Sequence, residues 1–224
     1  YPLQRQFSDP LQFYLMREKL RVMTAQNIGE LSQLYAETLK KGNSRNLTAT
    51  RYGYSLALLA LGEYTKARNE LQVLIDEDHD SLSYQLALAE IEMAVGRLPA
   101  ALAIYEDNQR LYPDDQALSL MQVKALIKAR LPEQAIKVLH RQLELGHPSQ
   151  VLYQQLAQAE GDLGHKSQSH SWLAEYYYSA GRVTQATEQL RLAAKFAERD
   201  EYLLAKITAR LREVELTLAQ MEEI

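Results

Sequence analysis

Small apolar residues recur along the chain in one fixed frame, and larger ones fall between them. Ala67, Ala101 and Ala135 lie 34 residues apart; Gly62, Gly96, Arg130 and Gly164 keep that step, as do Ser55, Ala89, Val123 and Ala157. Around these positions the chain reads Leu61-Gly62-Glu63-Tyr64, then Val95-Gly96-Arg97-Leu98, then Ala129-Arg130-Leu131-Pro132. Each string predicts the end of one helix, a turn and the start of another. Gly suits the left-handed residue that closes a helix. Pro99 and Pro132 suit the first turn of the helix that follows, and Pro113 and Pro148 help to end the second helices. The small residues have a mechanical purpose, because antiparallel helices about 8–10 Å apart need small side chains where they cross. Ser55 with Ala67, and Ala89 with Ala101, are expected to meet at such crossings. Leu58, Leu71, Leu88, Tyr105, Leu126 and Leu139 are expected to fill the space between hairpins.

This small–Gly–Ala pattern resembles the tetratricopeptide repeat, which has the same offsets. The resemblance implies an all-α superhelical solenoid of stacked antiparallel helix hairpins, with about twelve helices and a long C-terminal capping helix. One domain is expected over residues 1–224: a degenerate helix pair in 1–44, three regular repeats in 45–147, a fourth repeat with an overlapping half-repeat pair in 148–198, and the cap in 199–224. The overlap is legible because Ala174, Gly181, Ala186 and Ala193 fit the frame while Gly181 follows Gly164 by only 17 residues. A helix near 167–179 therefore closes one hairpin and opens the next.

The ends differ from the middle, as capping units should. Residues 10–24 and 28–41 read as two helices closed by Gly42-Asn43, with Phe13, Met16, Leu20 and Met23 on one stripe. The last helix, near 200–222, places Ile207, Leu211, Val214, Leu218 and Met221 at steps of four and three. That spacing suits a cap along the final hairpin, or a coiled-coil dimer.

Composition narrows the function classes. Gly (9) and Pro (6) are too few for a β-rich chain of 224 residues, whereas Ala, Leu, Gln and Glu abound. The net charge is −4, so no basic footprint for nucleic acid exists. No apolar run approaches the roughly 20 residues of a membrane-spanning helix. With 0 Cys there are no disulfides, thiolate metal sites or cysteine nucleophile, and that composition fits cytosol and periplasm equally. The chain begins at Tyr1 with neither Met nor a leader, which predicts a piece of a longer precursor with any catalytic part upstream.

Residues for chemistry are scarce. His79, His140, His147, His165 and His170 form no His-Glu-x-x-His pair, and all five are expected at the surface. His165 and His170 fall on different helix faces. Glu90 and Glu92, two apart, do not share a face. No phosphate loop, nucleophile elbow or dinucleotide fingerprint occurs. No catalytic residue, metal ligand or cofactor is expected in this chain. Trp172 with Tyr176, Tyr177 and Tyr178 is the densest aromatic cluster, suited to core packing or to a binding anchor.

In stacked hairpins the first helix of each pair lines the inner face. The frame projects Tyr52, Leu56 and Leu59 outward there, followed by Leu86, Glu90 and Met93, then Leu120, Lys124 and Ile127, then Gln154 and Gln158. Apolar residues where water is expected suggest a groove for a protein or peptide; burial against neighbouring repeats or under a folded-back terminal helix is the alternative. A clamp for a partner's C-terminal carboxylates would need several Lys, Arg and Asn here, and only Lys124 is cationic.

A closer resemblance covers nearly the whole chain. It rests on Phe13-Tyr14-Leu15…Arg17, Lys41-Gly42-Asn43, Arg51-Tyr52-Gly53, Tyr64…Ala67-Arg68, Leu156-Ala157-Gln158-Ala159-Glu160, Ala180-Gly181-Arg182…Gln185-Ala186 and Ala209-Arg210-Leu211…Leu216. These strings resemble the C-terminal domain of periplasmic M48-family zinc metallopeptidases, the β-barrel assembly-enhancing protease group. The resemblance implies a periplasmic protein with a zinc peptidase upstream, the zinc belonging to that domain. It also implies a chain that docks the outer-membrane β-barrel assembly machinery, presents misassembled outer-membrane proteins to its own N-terminal protease domain, or gives chaperone-like support. The family's His-Glu-x-x-His signature is absent from this sequence, so no catalytic residue carries over. A free-standing adaptor without an attached enzyme is the competing reading.

Overall fold

The computed structural model describes residues 10–222, and among them there are twelve α-helices and no strand. They fall in two compact units, one ending at Asn108 and the other starting at Gln109. The first holds α1 (Pro10–Met23), α2 (Ile28–Lys41), α3 (Leu47–Ala60), α4 (Tyr64–Glu77) and α5 (Leu82–Val95); α6 (Leu98–Leu111) spans the boundary. The second holds α7 (Gln116–Lys128), α8 (Pro132–Glu144), α9 (Gln150–Asp162), α10 (Lys166–Ser179), α11 (Val183–Phe196) and α12 (Glu201–Glu222).

The helices start and stop where local chemistry directs. Asn27, Asn46, Asp115 and Ser149 each accept a hydrogen bond from a backbone N–H in the first turn of α2, α3, α7 and α9. The helix ends closed by Gly62, Gly96, Gly164 and Gly181 share one hydrogen-bond pattern. The N–H after the glycine reaches back five residues: Glu63 to Leu58, Arg97 to Glu92, His165 to Glu160 and Arg182 to Tyr177, each at 2.9 Å. Arg130 stands where the others have Gly and still adopts φ 59°, with Leu131 N–H on the Leu126 carbonyl at 2.9 Å. A Cβ in that conformation costs roughly 1–2 kcal/mol, so the surrounding packing, not the residue, imposes the turn.

In the first unit α3 and α4 form a hairpin, α1 and α2 pack on α3, and α5 packs on α4. Ser55 and Ala67, the small residues of that hairpin, are buried, as are Ala89 and Ala101. Gly53 answers a tighter approach: a Cβ there would sit 2.9 Å from the Tyr35 ring and hydroxyl and 3.1 Å from Glu18 Cβ. The stripe expected on α1 is turned the other way. Leu15, Glu18 and Val22 are buried, while Phe13, Met16, Leu20 and Met23 are 52–72% exposed. Tyr35 explains the preference, since its hydroxyl donates to the buried Glu18 carboxylate at 2.7 Å and holds that face inward.

In the second unit α7 pairs with α8, and α9 through α12 follow in sequence, each packed on the next. Helix α10 packs on both α9 and α11, so one helix serves two hairpins. Ala135, Ala174, Ala186 and Ala193 are buried at the crossings. The long α12 lies on α11, with Ile207 and Val214 in a cluster that includes Leu190 and Val183. Leu211 and Leu218 pack at its edge, whereas Met221 is exposed.

Candidate protein-binding surface

The residues projected onto the first helices do not share one environment. In the first unit Tyr52 and Leu56 of α3 and Met93 of α5 are buried, which corrects the expectation that they face outward. Tyr52 and Leu56 belong to one cluster with Leu15, Tyr84 and Ile91. The Tyr52 ring lies 5.8 Å from that of Tyr84, and its hydroxyl faces the Ser83 carbonyl at 3.5 Å. Burial first, and the nearby Glu90 charge second, push the Tyr52 hydroxyl well above the ordinary tyrosine range. Met93 lies beneath Tyr105, whose hydroxyl is 3.5 Å from the Met93 sulfur. Leu59, Leu86 and Glu90 are half-buried on the same two helices.

In the second unit the same frame positions are more open. Leu120 and Ile127 of α7 are half-buried, Lys124 is exposed, and Gln154 and Gln158 of α9 are exposed. The position occupied by Leu56 in the first repeat thus becomes Glu90, Lys124 and Gln158 in the next three, and its exposure rises along with its polarity. Periodicity identifies the position; neighbouring bulk decides whether it reaches water.

Three carboxylates escaped sequence reasoning as a group. Glu18, Glu92 and Glu160 are all buried. Glu92 meets the guanidinium groups of Arg68, at 2.6 Å, and Arg97. Glu160 meets His165 Nδ1 at 2.8 Å. Glu92 and Glu160 occupy one frame position, four residues before the glycine, where the other repeats carry Leu58 and Leu126. The residue after the glycine therefore closes the helix with its N–H and meets the buried carboxylate with its side chain. The signal was present in the sequence: a charged residue at a position otherwise leucine, with Arg or His five residues on.

The histidines are less superficial than expected. His79 and His165 are exposed, but His140, His147 and His170 are half-buried. His147 Nδ1 lies 3.2 Å from the Gln142 amide oxygen. His170 Nδ1 lies 2.8 Å from that of Gln189, and its ring stacks on Phe196 at 5.4 Å. His140 meets the edge of Trp172 at 5.7 Å, and Tyr153 stacks on the same indole at 6.1 Å. Trp172 is thus partly a packing residue. Among the described residues no three His, Asp or Glu side chains gather as metal ligands. No helix among the described residues is long and apolar enough to cross a membrane.

No family model matches the chain. It is 28% identical over 171 residues to a β-barrel assembly-enhancing protease of Yersinia pestis, covering 75% of this chain and 35% of that protein. It is 26% identical over 211 residues to the protein of the same name in Escherichia coli K12, covering 94% of this chain and 42% of that protein. The chain therefore spans well under half the length of these relatives. Among solved structures, a tetratricopeptide repeat protein from Parabacteroides merdae superposes with a TM-score of 0.55 at 13% identity, covering 91% of this chain and 92% of that one. With its hairpin frame and glycine-closed turns, the chain is an all-α tetratricopeptide-repeat solenoid related in sequence to the β-barrel assembly-enhancing proteases.

Proposed function

We propose that this chain is the partner-docking part of a periplasmic zinc metallopeptidase that acts in the assembly and quality control of outer-membrane β-barrel proteins. The observation that carries the proposal is the conjunction of a tetratricopeptide-type fold with sequence similarity, over 94% of the chain, to a protein named for enhancing barrel assembly. Peptide-bond cleavage, and the zinc it uses, belong in this reading to an N-terminal protease domain outside the chain. The chain's own task is to hold protein: the barrel assembly machinery, a misassembled barrel protein, or both in turn.

The contact residues in this reading are those the frame places on first helices and the packing leaves accessible. They are Leu59, Leu86 and Glu90 in the first unit, and Leu120, Lys124 and Ile127 in the second. In the first unit Leu59 packs against the cluster that holds Tyr52 and Leu56. Each half-buried aliphatic side chain can complete its burial against a partner at about 25 cal/mol per Å² of apolar surface. Lys124 adds charge selection, felt mainly in association rate.

Surface plasmon resonance with immobilised, detergent-solubilised barrel assembly complex tests the proposal. The chain should bind saturably. Leu86→Glu combined with Lys124→Glu should weaken binding roughly tenfold or more without changing helical circular dichroism. Absence of binding to both that complex and an unfolded barrel protein overturns the reading.

A further inference from the structure

At 22 residues α12 is the longest helix among those described, and it carries two heptad stripes. One, with Ile207 and Val214, is buried on α11. The other runs along the opposite side through Tyr202, Ala205, Ala209, Arg212, Leu216 and Ala219, at steps of three and four, and all six residues are exposed. Tyr202 and Leu216 are 83% and 65% exposed. An average step of 3.5 residues keeps one seam of a helix against a second helix. Capping α11 needs only the first stripe.

What fits the outer stripe follows from its own sizes and charges. An antiparallel copy of α12, related by a two-fold axis between Arg210 and Leu211, sets Tyr202 against Ala219, Leu216 against Ala205 and Arg212 against Ala209. Every large seam residue then faces an alanine, the alternation that lets two helices interdigitate closely. A parallel copy would set Arg212 on Arg212 and Tyr202 on Tyr202, with each alanine facing itself. Size selects the antiparallel pair.

Charge selects it too. The two-fold axis brings each flank of the seam against the same flank of the partner. In that register Lys206 lies about 3 Å along the axis from the partner's Glu213, two residues at 1.5 Å each. Lys206 is exposed and makes no ion pair among the described residues. Glu213 is exposed as well, with one oxygen on Arg210 at 2.8 Å, and Arg210 is already held by both oxygens of Glu175. Symmetry makes the Lys206–Glu213 contact twice. On the other flank Glu215 faces the partner's Thr208 and keeps its own ion pair with Arg191. Over α12 three basic and four acidic residues nearly balance, so two copies meet without strong repulsion. Arg212 at the centre of the seam fixes the register at a cost in stability. The seam is about 26 Å long from Tyr202 to Ala219, which places the pair in the weak, reversible class.

We infer that the outer face of α12 is a self-association surface, on which a second copy of this chain packs its own α12 antiparallel, with Lys206 of each copy against Glu213 of the other. The inference is independent of the docking proposal, which uses α3, α5, α7 and α9.

Sedimentation equilibrium of the whole chain, from about 1 μM to about 1 mM, should show a reversible dimer with a Kd of roughly 100 μM. Ala205→Glu places a charge opposite Leu216 and should weaken the dimer roughly tenfold or more, with helical circular dichroism unchanged. Arg212→Leu should tighten it roughly tenfold. Lys206→Glu and Glu213→Lys should each dimerise more weakly than the unaltered chain. Mixed, the two variants should pair with each other roughly tenfold more tightly than either pairs with itself, because like charges meet in each homodimer and opposite charges in the mixed one. A chain still monomeric at about 1 mM, a dimer indifferent to Ala205→Glu or loosened by Arg212→Leu, or a mixture without preference overturns the inference. Protection of α12 from hydrogen exchange by the barrel assembly complex, in a chain that does not dimerise, also overturns it, since that partner would then occupy the face.

Discussion

The two compact units use the same repeat frame but stabilise it differently. The first buries polar groups: Glu18 beneath Tyr35, Glu92 between Arg68 and Arg97, and the hydroxyl-bearing rings of Tyr52, Tyr84 and Tyr105. The second buries one carboxylate, Glu160, and otherwise amides and hydroxyls such as Gln142, Ser119 and Thr187, in one serial stack with α10 shared by two hairpins and its aromatics half-open to solvent. A fixed period therefore specifies the hairpin and leaves its filling free. Tyr52 and Leu56 at these positions are core, whereas Lys124, Gln154 and Gln158 at the corresponding positions reach water.

The largest test of this contrast is at Glu92. Arg68→Ala with Arg97→Ala leaves a buried carboxylate without a partner, which should cost about 3–5 kcal/mol in urea unfolding. Glu92→Leu copies the residue found at Leu58 and Leu126, and the two arginines, about half exposed, can return to water. It should cost far less than the double variant. If both cost the same, the ion pairs and not the buried charge are what matters.

Gly53→Ala comes next. Alanine normally favours a helix interior over glycine by roughly 0.5–1 kcal/mol, but here its Cβ meets Tyr35 at 2.9 Å. Overpacking of this kind typically costs about 1–3 kcal/mol, so the variant should be less stable by thermal denaturation. A rise in Tm would mean that Tyr35 and Glu18 yield easily.

Alkaline pH should also separate the units. Burial raises Tyr35, Tyr52 and Tyr105 of the first unit far above the ordinary value of 10.0, and raises Tyr153 of the second unit by less. Their protonated forms are favoured by folding. The stability they contribute is intact below pH 10.0 and is lost as pH rises past it towards the folded-state values. Hydrogen exchange near pH 11 should therefore accelerate in α2, α3 and α6 relative to α11; uniform acceleration contradicts the contrast.

The smallest effect is expected at Arg130, the residue with φ 59° at a glycine position. Arg130→Gly should raise stability by up to about 1 kcal/mol, measured by urea unfolding, because it removes left-handed strain without altering a packed side chain. No gain would mean that Arg130 makes contacts worth the strain.

Most of the fold was legible because helix ends and crossings are governed by local chemistry that repeats. Gly62, Gly96, Gly164 and Gly181 marked the turns, and Ala67, Ala101 and Ala135 the crossings. The orientation of α1 was not legible: Phe13, Met16, Leu20 and Met23 make as good an apolar stripe as Leu11, Leu15 and Val22. The choice between them falls to a glutamate, Glu18, whose partner Tyr35 is 17 residues away. The candidate surface was half legible for the same reason. The frame found the positions on α3, α5, α7 and α9, but the exposure of Tyr52 depends on Tyr84, 32 residues on, and that is a matter of packing, not period.

Hydrogen–deuterium exchange of the chain, alone and saturated with the barrel assembly complex, tests the docking proposal most directly. The account predicts slowed exchange in α3, α5, α7 and α9, the first helices of their hairpins, with α4 and α8 little changed. Protection confined to α4 and α8, or none at all under saturation, would contradict it.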